Sequence, residues 1–415
     1  MEDQFGHLPV AQTPLNKKLL RIYFDVLSRF KASLTGDPDP SNPFIKHYAP
    51  FCIQEPLVVQ TIMYASACYI HETGHLPRTA LMASKGRAIH MLNQRISSGR
   101  NSAAASNTGN VGETSGTNDA AIASVIQLAA AEWYWGDNNE DVQHHFKGLR
   151  DMIRLRGGFD RLGMNGILAK NAICHDVSIA LAHENSPLLL LHPQEDCSNG
   201  SGGGDPRTPW TADYAFADPI KDVPLRMTHS APFVCSLSSV GTLPSYAECS
   251  QSLGIHRATA SILDNHNSDY MYQAIRATAI VYSRAIMNRT PLSVACTQHE
   301  FLQIWATVWR VPLSAWNSSV GTFHWIMLAI APACHTTPHG RFVKNMLMVS
   351  TLALGVDNWA VAIGAAKAGL KLQHWLKGQD AETESEEGAE EDDGEGQGDG
   401  GGRGGGRWRS GREER

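Results

Sequence analysis

The chain of 415 residues has eight cysteines, at 52, 68, 174, 197, 235, 249, 296 and 334, and no CxxC pair or close cluster among them. That spacing excludes the common zinc-finger ligand sets. In a chain long enough to bury a large core without covalent staples, it reads as the reduced thiols of a cytosolic or nuclear protein. Long apolar runs are missing too. The most apolar stretch, Trp325 to Cys334, contains Pro332 and falls well short of the roughly 20 residues that a membrane helix needs. Residues 1–15 carry two early acids and no apolar block, so neither a secretory signal nor a membrane span is expected. Strand-like alternation between hairpin turns is nearly absent, which disfavours the α/β and all-β classes, and no repeat of solenoid length is evident. There is no G-x-S-x-G elbow, no Walker loop, and no G-x-G-x-x-G placed between a strand and a helix. The glycines of Gly200–Gly204 stand in a polar stretch and read as linker.

Charge is scarce in the body of the chain. The overall net charge of −6 is dominated by residues 379–402, which hold eleven acids and no base. Arg403 to Arg415 adds five arginines against two glutamates, which leaves residues 1–378 at +2. A nearly neutral body has none of the basic footprint of a nucleic-acid-binding domain.

What is abundant is helical periodicity. Lys17 to Phe30 sets Leu20, Phe24, Leu27 and Phe30 on one stripe. Glu55 to His71 is apolar nearly all round and opens with Pro56 in the first turn, as a central buried helix does. Further helices are predicted over Thr79–Ile96, from Asp119 as cap to Gly136, over Asp141–Arg156 up to the Gly157-Gly158 stop, and over Asn165–Glu184. A second series is predicted over Gln251–Asn265, Ser268–Asn288, Thr297–Ser314, Thr322–Ala331, Gly340–Leu354 and Asn358–Trp375. Two polar inserts, 97–118 and 185–250, read as flexible segments, the longer one separating two helical halves. The expected organisation is an arm over 1–16, a helical domain over 17–376, and a tail over 377–415, acidic and then rich in Arg and Gly, that cannot form a core. The fold class is all-α, about a dozen helices with a long irregular insertion and a disordered C-terminal tail.

The sharpest chemical pattern is His71-Glu72-Thr73-Gly74-His75, which satisfies HExxH. On a continuous helix it would set two imidazoles on one face around Zn²⁺, with the glutamate as base. Gly74 and Pro77 fall where the helix should end, and Arg78 and Leu81 stand where a metzincin places its next glycine and third ligand. His144, His145, His335 and His339 read as surface or core histidines. The aromatic series Phe301, Trp305, Trp309, Trp316, Phe323, Trp325, Trp359 and Trp375 reads as core between packed helices, with a ligand pocket as the alternative. Lys367, Lys371 and Lys377 complement the end of the last helix. Five arginines and Trp408 in the tail suit only weak, salt-sensitive contact with nucleic acid. No catalytic, cofactor-binding or metal residue is assigned, and the chain is not read as an enzyme.

Several segments resemble a known family when taken together. They are YFDVLSRF, NPFIKHYAPFCIQEPLVVQTIMYASACYI, KGRAIHMLNQRI, HHFKGLRDMIRLRGGFDRLG, and the stretch from His335 to Trp375. They are similar to the fungal-specific transcription factor domain, the helical regulatory region that usually follows a binuclear zinc cluster. The most distinctive piece is the helix from His144 to Arg156 with its Gly157-Gly158-Phe159 turn and Leu162-Gly163. The resemblance implies a nuclear regulator of transcription, with a cytoplasmic location as the alternative. It would act through protein partners of the transcription machinery, through a homologous regulator, or through a small-molecule effector. The six clustered cysteines of a zinc cluster are not found ahead of the helical region, which puts direct sequence-specific DNA contact in doubt: the sequence reads either as a regulatory domain working through partners or as one whose zinc-cluster exon is missing. A stand-alone ligand-binding or scaffold domain is the alternative from another class.

Overall fold

The computed structural model describes residues 10–32, 34, 42–105, 117–136, 139–189, 270–317, 319–334 and 337–378. The chain divides into two units, Met1–Gly378 and Gln379–Arg415, and every described residue belongs to the first. The predicted helix Gln251–Asn265, most of the 185–250 insert and the tail beyond 378 lie outside the described residues. Among the described residues there is no strand, and the fold is all-α.

The first helix, α1 (Pro14–Ile22), starts three residues before the predicted Lys17. Thr13 caps it by accepting from the Asn16 N–H at 3.1 Å, and Pro14 occupies the first turn, where its missing N–H costs nothing. The helical path then widens over Tyr23–Leu27, where the Ser28 N–H reaches back five residues to the Tyr23 carbonyl, before α2 (Arg29–Ala32). A second wide turn, Phe44–Tyr48, leads into α3 (Ala49–Gln54) and α4 (Pro56–Glu72). As predicted, α4 is buried on nearly every side.

Helix α5 (Arg78–Ala105) runs nine residues past Ile96, where the apolar spacing stops. The alanines at 103–105 are the strongest helix formers, so helical geometry continues into the polar insert. Residues 106–116 of that insert lie outside the described residues. Helix α6 (Asp119–Trp135) is capped one residue earlier than predicted: the Asn118 amide oxygen accepts from the Ala121 N–H, and Asp119 instead pairs with Arg156. Helix α7 (Asn139–Arg156) shows the predicted stripe, Val142, Phe146, Leu149 and Ile153, together with Met152. Gly157 and Gly158 end it at φ +97° and +98°, and Leu162 is buried behind them. Helix α8 (Ile167–His183) is almost entirely buried.

After the insert come α9 (Tyr270–Asn288), α10 (Leu292–Ala295), α11 (Gln298–Val308), α12 (Leu313–Asn317), α13 (Val320–Ile330), α14 (Gly340–Asp357) and α15 (Trp359–Leu376). The single helix predicted over Thr297–Ser314 is broken, because Pro312 cannot continue one, and α12 starts afresh just after it. Thr297 and Glu300 form a reciprocal capping box at the start of α11.

The two series do not form separate bodies. Helix α14 packs on α8 and α6 of the first series as well as on α13 and α15 of its own. Polar ties cross the same boundary. Lys170 on α8 donates to the Gly355 carbonyl at 2.7 Å, Gln373 on α15 donates to the Leu181 carbonyl at 2.9 Å, and Lys344 on α14 donates to the Trp133 carbonyl at 2.9 Å. The Glu184 carboxylate, held at φ +52° just after α8, accepts from the Leu292 N–H at 2.7 Å and the Ser293 hydroxyl at 2.6 Å. Among the described residues one large hydrophobic core spans both series, beside a small second cluster of Val320, Leu354, Ala362 and Ala365.

Candidate functional site

The wide turn after α1 brings Tyr23, Val26 and Leu27 over the C-terminal part of α4, and α2 sets Lys31 beside α6. Helix α14 then closes the other side with Arg341, Phe342 and Asn345. Between them lies a cavity of about 390 Å³ whose remaining wall is Ala65 and Tyr69 of α4 with Gln127, Ala130, Ala131, Tyr134 and Trp135 of α6. The small side chains of α6 make the room. Bulkier residues at 130 and 131 would fill it.

The floor is polar and buried. Lys31 is 8% exposed, and its ammonium donates to the Gln127 amide oxygen at 3.2 Å. The Gln127 amide nitrogen in turn donates to the Tyr48 hydroxyl at 3.0 Å and, at a longer 3.4 Å, to the Tyr23 hydroxyl. Burial lowers the Lys31 pKa to about 8, since the charged form loses its water. Burial likewise raises both phenols and pushes the nearby Cys52 thiol up to about 12, so neither phenols nor thiol supply an anion near pH 7. His175 of α8 lies behind this floor and is held neutral, its pKa lowered to about 3 by burial first and by Lys31 second. Among the described residues no carboxylate stands within ion-pair distance of Lys31. At the mouth, Glu72 pairs with Arg341, while Phe342 stays mostly exposed.

The HExxH residues are placed differently from a zincin. Helix α4 ends at Glu72, and Gly74 turns the chain at φ +76°, so His75 does not follow on the next turn of the same face. The His71 ring nitrogen Nδ1 bonds to the Leu76 carbonyl at 2.7 Å, His75 sits exposed beside the Thr73 hydroxyl, and Glu72 is occupied by Arg341. Among the described residues no group of three or more His, Cys, Asp or Glu is arranged to hold a metal ion.

None of the eight aromatic residues singled out in the second series lines the cavity. Phe301, Trp305, Trp316, Phe323 and Trp359 are core side chains. Trp316 stacks obliquely on Phe323, and Trp325 stacks on Tyr282. Lys377 donates to the Glu184 carbonyl near the end of α15. His335 lies outside the described residues.

Of the cavity's lining residues, sequence reasoning singled out Leu27 and Glu72, for other roles, and passed over its polar floor. Two signals were present: Lys31 continues the spacing of Tyr23 and Leu27, placing a cation on a buried stripe, and Gln127 is the lone amide in Ala120–Ala131, where Ser124 is the other polar residue.

Residues 18–210 match the family model described as the fungal specific transcription factor domain. Over this stretch the chain is similar to that family. No curated protein and no solved structure matches the chain. The matched stretch supplies the floor and three sides of the cavity, while the α14 wall comes from beyond it. Among the described residues no helix is long and apolar enough to cross a membrane.

Proposed function

We propose that this chain is a nuclear regulator of transcription whose helical body acts by contact and carries out no bond-making chemistry. The observation that carries this reading is the family match over residues 18–210. The body offers two kinds of contact, with protein partners of the transcription machinery or a homologous regulator, and with a small effector. The cavity favours the second, because α14 forms one of its walls and also packs on α6, α8, α13 and α15. An occupant that touches both sides stabilises the arrangement in which α14 is seated, and it shifts the population of helical packings by its differential affinity.

The test is chromatin occupancy of the full, epitope-tagged chain, together with its nuclear fraction. Enrichment at a reproducible set of promoters is expected. Exclusion from the nucleus, with no promoter enriched over an untagged control, defeats the reading and leaves a ligand-binding or scaffold domain.

A further inference from the structure

We propose that the cavity between Lys31, α6 and α14 binds a small amphipathic monocarboxylate, with the carboxylate on the Lys31 ammonium and the apolar body along Leu27, Ala130, Ala131 and Trp135. The proposal deepens the regulator reading by naming an effector class, and it rests on that reading only for the consequence of binding.

Size and lining come first. About 390 Å³ falls in the range of small-molecule sites, roughly 300–1,000 Å³, and the walls are mainly aliphatic and aromatic. Such a surface suits an apolar body and leaves its orientation to a few polar groups. Two of these point to the head group. The Lys31 ammonium has three N–H donors and one acceptor among the described side chains, Gln127. The Tyr134 hydroxyl, on the neighbouring wall, is buried with no hydrogen-bond partner. A desolvated cation and an idle donor on one cavity both call for an acceptor, and an anionic acceptor also offsets the buried charge.

The count of charges selects a monoanion. Lys31 is the cation on the floor, and Arg341 at the mouth is already paired with Glu72. A phosphate brings about two negative charges and three acceptor oxygens, more than this set of donors neutralises. A neutral alcohol of the same length fills the same apolar space but leaves the ammonium uncompensated. The mixed origin of the walls gives binding a mechanical consequence, since a ligand seated on Lys31 and against Phe342 ties α2 to α14.

The experiment titrates decanoate into the purified full chain by calorimetry, with decanol as the neutral analogue and acetate as the bare head group. Decanoate is expected to bind at least about tenfold more tightly than either. Lys31→Met is expected to remove that preference, so that decanoate binds no more tightly than decanol. Because removing an unpaired buried charge does not endanger folding, the variant remains a fair test, and a second variant, Ala131→Phe, is expected to abolish binding of both long-chain probes by filling the cavity. Equal affinity for decanoate and decanol, an undiminished decanoate affinity in Lys31→Met, or no heat with any probe overturns the proposal. A reporter driven by the chain's promoters separates the two readings. Binding with no change in reporter output upholds the site and counts against its role as an effector site.

Discussion

Lys31 pays for its position with its hydration, and the cost is visible in its pKa, lowered to about 8 by burial. The folded state therefore holds fewer protons than the unfolded chain between about pH 8 and the ordinary lysine value of 10.5, and its stability gains as pH rises through that window. Below pH 8 the penalty is present in full. Lys31→Met is expected to raise the unfolding free energy at pH 7 by about 1–3 kcal/mol, less whatever the orphaned Gln127 amide oxygen takes back. That advantage should shrink between pH 8 and 10. A difference between the two proteins that is flat across this range in urea melts shows that Lys31 is not desolvated. His175 and His324 act in the acid range. Both are buried, with pKa values lowered to about 3 and about 4, so the unfolded chain takes up protons first as pH falls below 6.5 and stability is lost. His324→Gln, which can still bond the Ser350 hydroxyl, is expected to flatten the loss between pH 6.5 and 4. His75 is exposed beyond the end of α4. His75→Ala is therefore expected to change stability by less than about 0.5 kcal/mol and to leave the metal content of the purified protein unaltered, and stoichiometric zinc lost in the variant would revive a hydrolase.

At the level of elements, the glycines divide by backbone and not by space. Gly158 has open space where a Cβ would go but sits at φ +98°, ψ 179°, a region that side chains avoid. Gly86 and Gly148 have equally open surroundings inside ordinary exposed helix. Gly158→Ala is expected to lower stability by about 1–3 kcal/mol, whereas Gly86→Ala or Gly148→Ala raises it by roughly 0.5–1 kcal/mol. Equal effects at all three positions in denaturant melts contradict the assigned turn. The same contrast explains what could be read from sequence. The end of α7 was legible because a glycine pair after an amphipathic stripe is a local signal, and α4 was legible because an apolar helix can only be central. The extension of α5 rests on helix propensity without an apolar stripe, and the cap of α6 turned on one side chain, Asn118, that competes with Asp119 for the same role. The cavity was the least legible feature. Its residues come from α2, α4, α6 and α14, and an isolated Lys or Gln in an apolar stripe announces burial without naming the element that covers it.

For the whole molecule, the question is whether the family-matched stretch is a body in its own right. Helix α8 answers it, because Lys170 on that helix is fully buried and its donors end on the Gly355 carbonyl and over the Trp359 ring, both on the far side of the insert. Ser178 meets Thr351 at 3.1 Å in the same interface, and the Glu184 carboxylate depends on α10 for its partners. Cutting the chain after residue 210 keeps every matched residue yet exposes the apolar face of α8 and strands a lysine and a glutamate whose ties lie in residues 292–359. Exposing one buried side chain of Leu or Ile size already costs about 1.5–3 kcal/mol, and domains of this kind have only about 5–15 kcal/mol in total. The fragment 1–210 is therefore expected to lack a cooperative thermal transition when expressed alone, and to recover one when co-expressed with residues 270–378, as read by near-ultraviolet circular dichroism. A sharp transition from 1–210 alone, close to that of the full chain, places the boundary of the folded unit at the insert. The cavity would then have to be built without α14, and α14 is the wall through which the proposed ligand reports its presence.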